Sequence, residues 1–217
     1  MKRANKSVSA DRNRRRPAAG VRLATILLLL TVGAAAGFAA ETAVVAGGCF
    51  WGVEAVFERL EGVIDVVSGY SGGEAETAKY NIVGTGKTGH AEAVQIVFDP
   101  EIIAFDVLLD VFFKVAHDPT QLNYQGPDVG TEYRSAVFYA SEEQKQITES
   151  TIAKLEAEGV YRKPIVTEVA PLKAFYPAED YHQDFMRLNP RHPYIVYWDV
   201  PKVEHLEEAY PELLTDK

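Results

Sequence analysis

The chain has 217 residues, 47% of them hydrophobic, and a formal net charge of −9. One cysteine, Cys49, rules out an intramolecular disulfide. The charge is unevenly spread, and the N-terminal forty residues hold most of the excess positive charge.

Lys2, Arg3, Lys6, Arg12, Arg14, Arg15, Arg16 and Arg22 form a basic head, opposed only by Asp11. Residues 23–40 carry no charge and end in Gly37-Phe38-Ala39-Ala40, small residues suited to a signal peptidase. Residues 1–40 therefore read as a secretory signal, with an uncleaved membrane anchor as the alternative, since eighteen uncharged residues approach a minimal span. Cleavage implies an exported protein, periplasmic or secreted; retention implies one anchored in the membrane, touching lipid only through residues 1–40. Without these residues the net charge is −16, which repels nucleic acid and anionic lipid. About 177 residues remain, enough for one domain with a substantial core.

That domain is expected over residues 41–203, with a polar tail over 204–217. Residues 42–46 form an apolar strand. Phe50, Val53, Val56, Phe57 and Leu60 recur at helical spacing up to Gly62. Residues 63–70 look extended, and Ser71-Gly72-Gly73 opens a polar loop reaching Gly89. Residues 90–98 alternate as a strand, and 105–116 are apolar on nearly every side, as in a buried helix. After the Pro- and Gly-containing segment 117–130 comes a strand at 134–140. The capping box Ser141-Glu142-Glu143-Gln144 then opens a helix ending near Gly159. A strand over 164–170 and a helix over 178–188 complete the pattern, and the chain beyond Asn189 is expected to wrap over the domain. The first six elements run strand–helix–strand–strand–helix–strand. This predicts an α/β (α+β) fold, a two-layer plait with a ferredoxin-like βαββαβ core.

Cys49 lies where the first strand gives way to the first helix, after Gly47-Gly48 and before Phe50-Trp51-Gly52. Unpaired N–H groups at a helix start favour a thiolate, so Cys49 is a candidate nucleophile with an apolar clamp beside it. The plainer reading is a small buried hydrophobe. Trp51 shares its side of the helix with Glu54, Ala55 and Glu58, away from the apolar face, which suits a substrate wall; a Trp covered by the C-terminal segment is the alternative. Strand alternation places Glu92 with Val94, Ile96 and Phe98. A carboxyl group buried there has a raised pKa, as a proton donor requires; a strand-end Glu reaching solvent is the other reading. Tyr80 and Tyr133 fit half-buried packing, and Asp118 and Asp128 fit turns. Gly84-Thr85-Gly86-Lys87-Thr88 fails as a phosphate loop, because a strand follows instead of a helix. Glu179, Asp180, His182 and Asp184 match no metal spacing and read as a solvated helix face. The five histidines are scattered, so a cysteine–histidine dyad requires the fold to bring one in.

Several motifs occur in order: Gly48-Cys49-Phe50-Trp51-Gly52-Val53-Glu54, Gly69-Tyr70-Ser71-Gly72-Gly73, Thr88-Gly89-His90-Ala91-Glu92 and His117-Asp118-Pro119-Thr120. They continue with Pro127-Asp128-Val129-Gly130-Thr131-Glu132-Tyr133-Arg134-Ser135 and Tyr176-Pro177-Ala178-Glu179-Asp180-Tyr181-His182-Gln183. The series resembles the peptide-methionine (S)-S-oxide reductase family, the A-type methionine sulfoxide reductases, over about residues 43–190. The resemblance implies that Cys49 attacks the sulfoxide sulfur and Glu92 protonates the oxygen, which Tyr80 and Tyr133 hydrogen-bond. It implies that Phe50 and Trp51 receive the substrate methyl group, and that Asp128 supports the polar side and the recycling step.

The product would be methionine, free or within a protein, plus Cys49 sulfenic acid. The family needs no metal and no bound cofactor, so none is expected. With no second cysteine, recycling is expected to use an external thiol, a thioredoxin-like protein or dithiothreitol in vitro. Glu132 stands where the family commonly has Gln. A monomer is expected. A thiol peroxidase or cysteine hydrolase, or a non-catalytic exported binding domain, are the rival classes.

Overall fold

The computed structural model describes residues 39–215; the expected export segment lies, apart from Ala39 and Ala40, outside them. The apolar run after Glu41 becomes β1 (Glu41–Gly47), the centre of a six-stranded sheet. It pairs antiparallel with β3 (Ala91–Phe98), Ala43 opposite Ile96, and with β6 (Ser135–Tyr139), Val45 opposite Val137. On the far side of β3, β2 (Val63–Ser71) pairs antiparallel, with Tyr70 opposite Glu92. Strand β7 (Glu168–Pro171) adds to β6 in parallel, and β8 (Phe175–Pro177) adds to β2 antiparallel. The result is a mixed α/β fold with strand order β7-β6-β1-β3-β2-β8.

Two faces of this sheet differ in what they bury. One carries Ala43, Val45, Val94, Ile96 and Phe98 against α1 (Phe50–Phe57) and α3 (Phe105–Val111), which continues as a π turn through Phe112–Ala116. Phe50, Val53, Val56 and Phe57 are each 1% exposed or less. Each such side chain contributes roughly 1.5–3 kcal/mol when removed from water. The opposite face holds a smaller cluster of Val44, Ala46, Ala91, Ala93, Ala136 and Phe138, covered by Ala170, Leu172 and Phe175.

The capping box works with one change. Ser141 Oγ accepts from the Gln144 N–H at 3.1 Å and opens α4 (Glu142–Ala157). Gln144 Oε1 accepts in return from Ala140 N–H, and its Nε2 donates to the Thr42 carbonyl, both at 2.9 Å, tying α4 to β1.

Other expectations need correction. The polar loop contains a short helix, α2 (Tyr80–Val83), and the 117–130 segment holds a small hairpin of β4 (Tyr124–Gln125) and β5 (Asp128–Val129). The helix expected over 178–188 is instead a 3-10 turn, Asp180–His182, and a short α5 (Phe185–Leu188), separated at Asp184, whose φ is +54°. Gln183 explains the break. Its side chain bonds the backbone N–H and C=O of Ser68, both at 2.9 Å, and so holds the chain against β2.

The C-terminal wrap is helical. A π turn, Ile195–Asp199, runs into α6 (Val200–Ala209), which packs on α1. The expected tail boundary at 203/204 falls inside α6. Leu206 is fully buried, and Glu61 N–H donates to the Leu213 carbonyl at 2.8 Å, so 204–215 belongs to the same packed body.

Candidate active site

Cys49 caps α1 and is 8% exposed. Gly48 precedes it with φ +91°, and a Cβ there would meet the Gln125 side chain at 2.6 Å. Only glycine combines that backbone with that approach. The N–H of Trp51 lies where it favours the thiolate of Cys49, without capping the helix through the side chain, and the N–H of Phe50 donates to Glu92 Oε2 at 3.2 Å. The free N–H groups of one helix start thus face both the thiol and the carboxyl group.

The thiolate expected from helix position alone does not form in the resting site. Burial pushes the Cys49 thiol well above its usual value, and Glu92 and Asp199 push it further. The Trp51 N–H and the Lys202 ammonium oppose this without overcoming it. Desolvation outweighs the helix terminus.

Glu92 is 3% exposed on the α1-facing side of β3. Burial is the main cause that raises its pKa to about 8, the Phe50 N–H pulling back and Asp128 and Glu132 adding to the rise. At neutral pH the group is a carboxylic acid. Tyr80, at the start of α2, is raised to about 12 by burial and then by Glu92 and Cys49. Tyr133 is also raised, by burial and then by Glu92, Asp128, Tyr80 and Cys49. Both phenols therefore remain protonated and lie within electrostatic reach of the thiol and the carboxyl group. Glu179 anchors this corner, accepting from Tyr80 N–H at 3.0 Å and from the Tyr70 hydroxyl at 2.9 Å.

Trp51 stacks on Phe185, centroids 3.7 Å apart and planes 8° apart, and its indole N–H donates to His182 Nδ1 at 3.2 Å. Tyr194 and His192 meet it edge-on. Its side of α1 is not the wet one: Glu54 is 2% exposed and Ala55 7%, covered by residues that follow His182. Phe50 is buried below, 5.0 Å from the His182 ring. The reading of residues 179–184 as a solvated helix face is corrected too, since His182 is 1% exposed and packs among Phe50, Tyr80 and Trp51.

Four residues of the wrap went unsingled in the sequence: Tyr194, Trp198, Asp199 and Lys202. The Tyr194 hydroxyl donates to Asp128 Oδ2. A cavity of about 200 Å³ is lined by Cys49, Gln125, Gly126, Pro127, Asp128, Tyr194, Trp198 and Lys202. Asp199 is fully buried against Gly52, where a Cβ would come within 2.1 Å of its Oδ1. Gly52 was the available signal, because a glycine inside an apolar helix marks a close approach. Larger cavities of about 520 and 740 Å³ lie elsewhere and contain none of the candidate residues.

Among the described residues no histidine hydrogen-bonds Cys49. Both ring nitrogens of His117 are occupied, by the Phe112 carbonyl at 2.9 Å and Ser135 Oγ at 2.6 Å. Nor, among them, does any group of three or more His, Cys, Asp or Glu form a metal cluster. The arrangement is a thiol, a protonated carboxyl group and two phenols beside an aromatic wall. It suits attack on a polarised, neutral acceptor better than base-assisted acyl transfer.

Comparison with known proteins agrees. Residues 41–213 match the family described as peptide methionine sulfoxide reductase. The chain is 55% identical over 177 residues to a peptide methionine sulfoxide reductase of Mesorhizobium japonicum, covering 82% of this chain and 91% of that one. It is 51% identical over 174 residues to one from Synechocystis, covering 80% and 81%. Among solved structures, methionine sulfoxide reductase A of Corynebacterium diphtheriae superposes with TM-score 0.61 at 39% identity, over 70% of this chain and 76% of that one. The reduced form of Mxr1 from Saccharomyces cerevisiae gives TM-score 0.64 at 34% identity, over 70% and 87%. The chain belongs to the peptide methionine sulfoxide reductase family and carries its activity, the reduction of the S epimer of methionine sulfoxide.

Proposed function

We propose that Cys49 is the nucleophile and Glu92 the general acid of this reduction. The Cys49 sulfur attacks the sulfoxide sulfur while Glu92 gives its proton to the oxygen, held by the Tyr80 and Tyr133 hydroxyls. Phe50 and Trp51 receive the methyl group, and Asp128, bonded to Tyr194, supports the polar side. The oxygen passes to Cys49 as the S–O bond of the substrate breaks, leaving methionine and a sulfenic acid. The thiol proton replaces the one Glu92 gave up. The sulfoxide sulfur gains two electrons and the cysteine sulfur loses two.

The observation that carries this reading is the buried, protonated Glu92 joined through the Phe50 N–H to the helix turn that bears Cys49. Proton delivery to the oxygen removes the charge that would otherwise build up there, within the roughly 10²–10⁴-fold usual for general acids. A thiol peroxidase or hydrolase would want a base such as His or Arg at the sulfur in place of a proton-donating carboxyl group.

Cys49 is the only cysteine of the chain, so the sulfenic acid is reduced by an external thiol, a thioredoxin-like protein or dithiothreitol. Residues 1–40 serve for export, which places that reductant in the periplasm or outside the cell. The central order β6-β1-β3-β2, antiparallel throughout, supports a ferredoxin-like plait, with β7 and β8 as edge additions.

The test is turnover of the separated epimers with excess dithiothreitol, using protein that begins at Glu41. Loss of the S epimer alone is expected. Turnover that stops at one equivalent of methionine would overturn recycling by an external thiol.

A further inference from the structure

Lys202 stands apart from the acidic groups around Cys49. Its side chain is 18% exposed, and its ammonium donates to Asp199 Oδ1 at 3.2 Å. Among the described residues that is its one hydrogen bond, so two of its three donors have no protein partner. It is the one cation among the residues lining the 200 Å³ cavity beside Cys49. Of the residues assigned to the reaction, Cys49 and Asp128 line that cavity; Glu92, Tyr80, Tyr133, Phe50 and Trp51 do not. The cavity therefore opens to Cys49 between Gln125–Asp128 on one side and Tyr194, Trp198 and Lys202 on the other.

An incoming reductant is anionic when it reacts, since the thiolate is the nucleophile. It must enter a domain of net charge −16, past Asp128 on the cavity wall. Asp199 sets the Lys202 position, wedged between α6 and Gly52, where a Cβ would lie 2.8 Å from Lys202 Nζ. A lysine so held, with donors to spare and a path to the sulfur, is placed to receive a small anion.

We infer that this cavity is the entry site for the reducing thiol and that Lys202 binds its thiolate, favouring thiols that carry further negative charge. The inference rests on the proposed recycling by an external thiol. The thiolate sulfur attacks the sulfenic sulfur of Cys49, an S–S bond forms, and the S–O bond breaks. The departing hydroxide takes a proton from solvent and leaves as water. A second thiolate attacks the mixed disulfide, forming the reductant disulfide and releasing Cys49 as thiolate, which takes up a proton. The two reductant sulfurs are oxidised, and Cys49 is reduced.

The experiment compares 3-mercaptopropionate with cysteamine as reductants, at equal thiolate concentration and saturating S sulfoxide, in wild type and in Lys202→Met, Lys202→Gln and Lys202→Arg. The readout is the ratio of kcat/KM for the anionic thiol to that for the cationic thiol. Lys202→Met and Lys202→Gln are expected to lower the ratio by about tenfold, and Lys202→Arg to keep it near wild type. A loss of packing alone would slow both thiols and leave the ratio unmoved. An unchanged ratio in whichever of the two neutral variants folds would overturn the inference. Formation of one equivalent of methionine by wild type, with no turnover on any thiol, would overturn the external-thiol reading and this inference with it.

Discussion

The Phe50 N–H and Glu92 Oε2, 3.2 Å apart, join the first turn of α1 to the middle of the sheet. Burial holds the Glu92 carboxyl up at about 8, against an ordinary 4.5, so it stays protonated at neutral pH. Such a group favours the fold fully below pH 4.5, and its contribution is lost as pH rises through 8. The rate of the first methionine equivalent is therefore expected to fall through pH 8.

Glu92→Gln should lower that single-turnover rate by about 10²–10⁴-fold while the protein stays folded. The decline at pH 8 should disappear with it. The Cys49 thiol should also become easier to ionise, because the Glu92 carboxylate is one of the groups raising its pKa. Stopped-flow methionine formation and pH-dependent alkylation measure the two effects. Unchanged kinetics would remove Glu92 from the mechanism.

Cys49→Ser should abolish methionine formation from either epimer, since the hydroxyl cannot accept the oxygen as sulfur does. In wild type, alkylation at pH 7 should be slower than for a small free thiol, because Cys49 is buried and its thiol held protonated. Fast alkylation would show a resting thiolate and contradict the electrostatics described for this site.

Gly52→Ala places a methyl group 2.1 Å from Asp199 Oδ1 in a fully buried setting. The overpacking should cost about 1–3 kcal/mol. A calorimetric Tm lowered by several degrees is the expected reading, whereas an unchanged Tm would mean that α6 shifts freely from α1.

His117 is buried with both nitrogens bonded, and burial lowers its pKa to about 4 from 6.5. Its depressed value supports the fold above pH 6.5, and that support is lost as pH falls through 4. The imidazole resonance of the folded protein should not titrate between pH 7 and 5. A His117 transition near 6.5 would mean that the ring is hydrated.

Local patterns were enough for much of the molecule. The apolar alternation of β1 and β3, the helical spacing of α1 and the capping Ser141 all depend on neighbours within one element, and each element formed there, α1 stopping at Phe57, short of the expected Gly62. The failures share a cause. The segment expected to be a helix over 178–188 broke because Gln183 bonds Ser68, 115 residues away in sequence. Trp51 looked solvent-facing on the helix wheel because Phe185 and His182, which cover it, come from a distant segment.

The sequence by itself put Cys49, the candidate nucleophile, at a helix start, put Glu92 on the core face of its strand and set the order of the main elements. These follow from residue type and period, which do not require knowing what packs against what. Only the tertiary structure decided the protonation of that site and its second wall. The Cys49 pKa is set by burial and by Glu92, Asp199 and Lys202, groups brought to it from β3, the Ile195–Asp199 turn and α6. Desolvation and Coulomb interactions depend on distance in space, so a cysteine whose helix position favours the thiolate is held as a thiol in the folded protein.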